Sequence, residues 1–273
     1  MSLSKNTNDP HLPTIPGNEN VQRFDPWWWM FFAVIGLIGL LAVIRPDPYW
    51  RILKFVKDGL GTTVLVTIIT FLLVLVVGLF GALGRLSRVK IIRGFTTVYV
   101  EVARGVPLLV QLIFWYFAFP SIIKDIGEAL NIRAFQTYLA NPIAMAVLGL
   151  TLCYAAYMTE IYRAGIQSIS KGQMEAARSL GMTYVQAMRY VILPQALRVI
   201  LPPVGNEFIS LLKDSSLVSV VAVADITRRG REFTGITPLP IETWTMIALI
   251  YLTMTLFSAR IVGWLERRTR TER

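Results

Sequence analysis

Cysteine and histidine are nearly missing from this 273-residue sequence: there is one of each, Cys153 and His11. A lone cysteine allows no internal disulfide and no thiolate metal centre. A lone histidine in a Pro/Asn-rich stretch gives no basis for histidine-driven catalysis. Charge is scarce too, at 16% of residues against about 25% in ordinary soluble domains. The scarcity is uneven. No Asp, Glu, Lys or Arg occurs over Trp27–Ile44 (18 residues), Gly59–Gly84 (26) or Ala134–Thr159 (26). At 1.5 Å per residue, about 20 apolar residues cross the hydrocarbon core of a bilayer. These runs exclude a soluble enzyme, a disordered chain and a secreted disulfide scaffold. They predict an all-α, polytopic integral membrane protein. A Gly-Lys pair is absent as well, so the chain lacks the phosphate loop that cradles ATP.

What is present organises the chain. Residues 1–26 are polar and turn-rich, with Pro10, Pro13, Pro16 and Gly17, and read as a flexible tail. A cleaved leader fits poorly, because no basic cluster precedes the first apolar run and no small-residue cleavage pattern follows it. Trp27, Trp28 and Trp29 read as an interfacial aromatic anchor for a first span over 27–44. Five further spans are predicted at 59–84, 95–119, 142–162, 196–221 (interrupted by Pro202 and Pro203) and 241–263. With both termini in the cytoplasm, 16 Lys and Arg fall on the cytoplasmic side and nine on the other. The positive-inside rule favours that orientation, although 45–58 is basic too. The net charge of +10 is then a property of cytoplasmic loops rather than a nucleic-acid surface.

Residues 163–195 form a long loop written as structure. Ser170 with Gln173 and Thr183 with Gln186 both fit capping boxes. Gly181 stands where a helix over 171–180 would end in a left-handed residue. A second helix then runs from Thr183 to Pro194. Ala177, Leu180, Tyr184 and Met188 share one apolar face across the turn. Such a ridge needs covering, by the membrane domain or by a partner protein.

Glu175-Ala176-Ala177, Gly181 and Val191-Ile192-Leu193-Pro194 resemble the EAA loop of permease subunits of ATP-binding-cassette importers, with Val191 in place of the usual Ile. The stretches Tyr99–Gln111, Glu160–Ser168 and Leu211–Leu217 are similar to polar-amino-acid importers of the histidine, glutamine and arginine type. The likeness spans residues 55–268, leaving 1–26 as tail and 27–44 as an added helix on a five-helix type I core. The resemblance implies a bacterial plasma-membrane permease subunit that pairs with a second, identical or related, permease. Two ATPase subunits and an extracytoplasmic solute-binding protein complete such an importer. The chain itself would be no enzyme and would hold no cofactor; ATP and magnesium would sit on the partner ATPase. Glu175, Ala176, Ala177, Leu180, Gly181 and Tyr184 would couple to that ATPase.

Pathway candidates follow from the cost of ionisable groups in spans. Glu101 and Arg104 are three residues apart and can pair on one face. Glu160 and Tyr157 share a face with the small residues Gly149, Cys153 and Ala156, and the Glu160 carboxylate could receive the ammonium of an amino acid. Asn206 and Glu207 follow the paired prolines, where freed carbonyls suit a cavity. Gln111 is an uncharged candidate, whereas Lys213 and Asp214 read as a structural pair. The competing reading is a self-contained secondary transporter or channel for small polar solutes. Such a carrier usually shows an internal repeat, and none is evident.

Overall fold

The computed structural model describes residues 26–269, and the tail over 1–25 lies outside the described residues. All its regular elements are helical. Helix α1 (Pro26–Ile44) leads directly into α2 (Pro46–Leu86), which has 41 residues. The sequence predicts α2 only from residue 59, because Arg51, Lys54, Lys57 and Asp58 end the uncharged run. The helix nevertheless continues through them. Ile52 and Val56 are fully buried against Ile226, Phe233, Met246 and Ile247, so packing carries the helix onward while its charges stay on the exposed side.

The predicted span over 95–119 is corrected more substantially. It is split into α3 (Lys90–Gly105) and α4 (Leu108–Ile113), followed by a π turn (Phe114–Ala118) and α5 (Phe119–Ala129). Pro107 causes the break. A residue before proline is pushed out of the α region, and Val106 is extended at φ −97°, ψ 130°. A short α6 (Arg133–Gln136) precedes α7 (Pro142–Gln167), the most deeply covered helix of the bundle.

Helices α2 and α7 form the central pair. Gly78 lets them meet: a Cβ there would lie 2.7 Å from Met158 Cβ and Cγ. One turn on, Gly81 packs in the same way on Thr159. Around them Val66, Val74, Leu112, Leu150, Tyr154, Met158, Leu211 and Val218 build the main core. Burying a side chain of this kind stabilises by about 1.5–3 kcal/mol relative to exposure in water.

The loop after α7 is a helical hairpin of α8 (Lys171–Ser179) and α9 (Tyr184–Ala187). A π turn (Met188–Ile192) joins α9 to α10 (Leu193–Asp214) without a break. Pro202 and Pro203 do not interrupt α10, contrary to the sequence reading. They only remove the N–H groups that would have met the carbonyls of Arg198 and Val199. A 3-10 segment (Ser215–Val221) leads to α11 (Ile226–Ile236), and α12 (Pro240–Thr269) closes the bundle. Fully buried Asp225 caps α11, accepting from the N–H of Thr227 (3.1 Å) and of Arg228 (2.9 Å).

Among the described residues, five helices or helix runs are long and apolar enough to cross a membrane: 27–44, 46–86, 108–129, 142–167 and 240–268. Helix α10 has a matching length but carries Arg198, Glu207, Lys213 and Asp214. Helix α1 packs on α12 and α2. Arg260 lies over the Trp28 ring at 5.0 Å and Phe31 meets Phe257, so α1 starts beside the C-terminal half of α12.

Candidate functional site

Two features concentrate the polar chemistry. The first is a cavity of about 410 Å³ at the break between α3 and α4, lined by Arg104, Tyr154, Tyr157, Glu207, Ser210 and Asp214 together with residues 105–108. The Pro107 break ends α3 at Gly105, one residue after Arg104, which lines the cavity. Arg104 lies 5.2 Å from the centroid of the Tyr157 ring, a cation–π contact. The Tyr154 hydroxyl donates to Asp214 Oδ2 at 2.6 Å. One cation and two carboxylates therefore share one polar chamber. An adjoining groove of about 440 Å³ shares Arg104, Tyr157 and Glu207 with it and adds Glu160, Val199 and Pro203.

Helix α10 borders both spaces. The same side is left uncovered: Val199 and Pro203 of the groove, with Asn206 and Lys213, form an exposed stripe at helical spacing, and half-buried Ser210 of the cavity lies among them. Asn206 belongs to that stripe and lines neither space.

The remaining sequence candidates separate by geometry. Glu101 is exposed and does not pair with Arg104, whose partner is the Tyr157 ring. Gln111 is a structural plug. Its Nε2 donates to the carbonyls of Ala103 (2.8 Å) and Val106 (2.9 Å), the acceptors that the Pro107 break leaves without helical donors. Glu160 is not free to receive an ammonium group. Oε1 accepts from Arg85 at 2.9 and 3.0 Å, and Oε2 accepts from Arg163 at 2.7 and 3.0 Å. A carboxylate held by two guanidiniums is already neutralised.

Sequence reasoning missed Tyr154 and Arg85 and set Asp214 aside. Asp214 is seven residues after Glu207, two helical turns on the same face, and Tyr154 precedes Tyr157 by three. That periodicity could have found both. Arg85 had no local signal, because its partner is 75 residues away.

The second feature is the α8–α9 hairpin. Gly181 has φ +83°, and the turn forms the paired bonds of a Schellman stop: Met182 N–H to Ala177 O (3.2 Å) and Gly181 N–H to Arg178 O (3.0 Å). The Thr183–Gln186 capping box is complete. The Ser170–Gln173 box is not. Ser170 Oγ accepts from Gly172 N–H instead, while Gln173 Oε1 accepts from Gln195 and ties α8 to the start of α10. The predicted four-residue apolar ridge also splits. Ala177 is buried inward, whereas Leu180 is 81% exposed and Tyr184, Val185 and Tyr190 stand out beside it. Glu175 and Ala176 are exposed on α8.

Known proteins resemble this chain. Residues 74–271 match the family described as binding-protein-dependent transport system inner membrane component. The probable glutamine ABC transporter permease protein GlnM of Bacillus subtilis is 37% identical over 211 residues, covering 77% of this chain and 91% of that protein. The glutamine transport system permease protein GlnP of Escherichia coli K12 is 40% identical over 171 residues, covering 63% and 73%. A solved structure, described as an amino acid ABC transporter with histidines, superposes with a TM-score of 0.71 at 38% identity, covering 84% of this chain and 97% of that one. The MetNI methionine ABC transporter in an inward-facing conformation shares the fold at 20% identity, with a TM-score of 0.60. This chain thus belongs to the binding-protein-dependent inner-membrane transport family, among the permeases of polar amino-acid ABC importers.

Proposed function

We propose that the chain is the membrane subunit of an ATP-driven importer that moves polar or charged amino acids into the cytoplasm. The cavity at the α3–α4 break supports this reading most directly, because its charges are those a zwitterion needs. In our reading Arg104 takes the α-carboxylate, Glu207 and Asp214 take the ammonium group, and Tyr157 packs between them. The uncovered α10 stripe would be closed by a second permease subunit, identical or related, since Asn206 and Lys213 facing lipid would be costly.

Exposed Glu175, Ala176, Leu180 and Tyr184, with Ala177 and Gly181 shaping the hairpin, would dock one of two partner ATPases. Those partners would bind ATP and magnesium, and an extracytoplasmic binding protein would deliver the amino acid. The hairpin and both termini would lie in the cytoplasm of a bacterial inner-membrane protein. The placement of α1 beside the C-terminal half of α12 supports putting its start at the same membrane face as the end of the chain.

The test is uptake of glutamine by the complex reconstituted in proteoliposomes. A hydrogen bond to a charged group is worth about 1.5–3 kcal/mol. Arg104→Gln and Glu207→Gln should each raise KM for transport by about tenfold or more, with protein insertion unchanged. Unaltered uptake in both variants would remove the cavity from the pathway. Uptake that proceeds without any ATPase subunit would favour a self-contained carrier.

A further inference from the structure

We propose that Arg85 and Glu160 form the mechanical joint through which the docking hairpin moves the wall of the substrate cavity; this rests on the importer reading above. Glu160 sits two turns before the end of α7, and only three residues separate that end from α8. The hairpin therefore has two short links into the bundle, one to α7 across these three residues and one to α10 through the π turn, and the joint lies on the α7 link. The Glu160 carboxylate is bound on both sides, and its two partners differ in kind. Arg163 belongs to α7 itself, so its bonds at 2.7 and 3.0 Å stay within one helix, and it also donates to Gln167. Arg85 belongs to the last turn of α2, and its bonds at 2.9 and 3.0 Å cross between helices.

Arg85 reaches further still. Its Nη1 donates to Thr97 Oγ1 of α3 at 2.8 Å, so one guanidinium ties α2, α3 and α7 together. Two turns beyond Thr97, α3 presents Arg104 to the cavity. A path of hydrogen bonds and rigid helix thus runs from the hairpin to the cavity wall. The side chains of Arg85 and Glu160 are 16% and 17% exposed, where screening is weaker than at an open surface. Arg85 is a positioning residue, since it acts on the cavity only through α3 and α7.

The paired arrangement supplies its own control. Removing either arginine leaves Glu160 neutralised by the other, so neither variant strands a carboxylate. Only one variant breaks the link between helices. The experiment reconstitutes the full complex with ATPase and binding protein and measures glutamine taken up per ATP hydrolysed. Arg85→Gln should lower uptake per ATP by about tenfold while hydrolysis continues, and Arg85→Lys should recover most of it. Arg163→Gln should stay within about twofold of the parent.

Equal loss in Arg163→Gln and Arg85→Gln would overturn the joint, because neutralising the carboxylate would then be all that matters. So would normal coupling in Arg85→Gln beside a coupled parent. If Arg85→Gln failed to assemble, Thr97→Val would sever the α3 branch alone and should lower the ratio by about threefold; an unchanged ratio there would overturn the joint as well. A parent complex with no substrate-dependent hydrolysis would overturn the importer reading, and the joint with it.

Discussion

Gly181 offers the sharpest test of the hairpin, because its cost can be worked out before the measurement. Its φ of +83° is a conformation that side chains with a Cβ rarely adopt. A Cβ at this position would meet no heavy atom within 4 Å, so substitution brings backbone strain without a clash. Left-handed geometry costs an ordinary residue about 1–2 kcal/mol. At 1.4 kcal/mol per factor of ten, the turn that presents Leu180 and Tyr184 would be populated about 5–30-fold less. Gly181→Val should pay the most, Gly181→Ala somewhat less, and Gly181→Asn least, since Asn tolerates this region. The assay is the Kd of the detergent-solubilised permease for its ATPase, measured across the three variants. Insertion and thermal midpoint should hardly move, because the turn is exposed. If Val binds the ATPase as tightly as the parent, or if Asn is as damaging as Val, the Schellman turn is not what the ATPase recognises.

Three further outcomes are expected. Gly78→Val should lower the thermal midpoint by the equivalent of about 1–3 kcal/mol, because the new methyls enter the space held by Met158. Gln111→Ala should cost about 1–3 kcal/mol by leaving the Val106 carbonyl unpaired and the Ala103 carbonyl with only the weak Cys153 thiol donor; in an α3-to-α4 double-cysteine crosslink, the break should become less uniform. Glu232 is held below its ordinary value of 4.5 chiefly by its hydrogen bond from Arg229. A carboxylate with a lowered pKa stabilises the fold above its unfolded value and loses that contribution as pH falls through the folded value. Melting followed from pH 6 downward should therefore show a loss beginning below about pH 4.5, and Glu232→Gln should flatten it; identical curves would show that the α11 network contributes nothing.

The membrane class, the hairpin and its glycine stop were legible because each has a local signature: uncharged runs, Thr183–Gln186 spacing, and Gly181 after an amphipathic stretch. Boundaries set by distant packing were not. Helix α2 runs 13 residues beyond its apolar segment because Ile52 and Val56 find partners on α11 and α12, which no local window contains. Pro107 is a strong breaker and was passed over because the apolar pattern continued on both sides of it. The same limit governed the site. Arg104, Tyr157 and Glu207 were selected by the cost of polar groups in spans, and they share one cavity. Glu160 was selected by the same rule, but its partner Arg85 lies on another helix. Sequence showed an expensive carboxylate without showing that its charge was already balanced.

The unbroken passage from α9 through the π turn into α10 has one more consequence. From Tyr184 to Glu207 the chain is a single helical rod of 24 residues, roughly 35 Å at 1.5 Å per residue. Such a rod is a lever with the exposed hairpin at its short end. Tilting it by about 5° about the hairpin would sweep Glu207 through roughly 3 Å, the length of a hydrogen bond. A contact change of one bond length in the cavity thus needs only a slight rotation at the docking end.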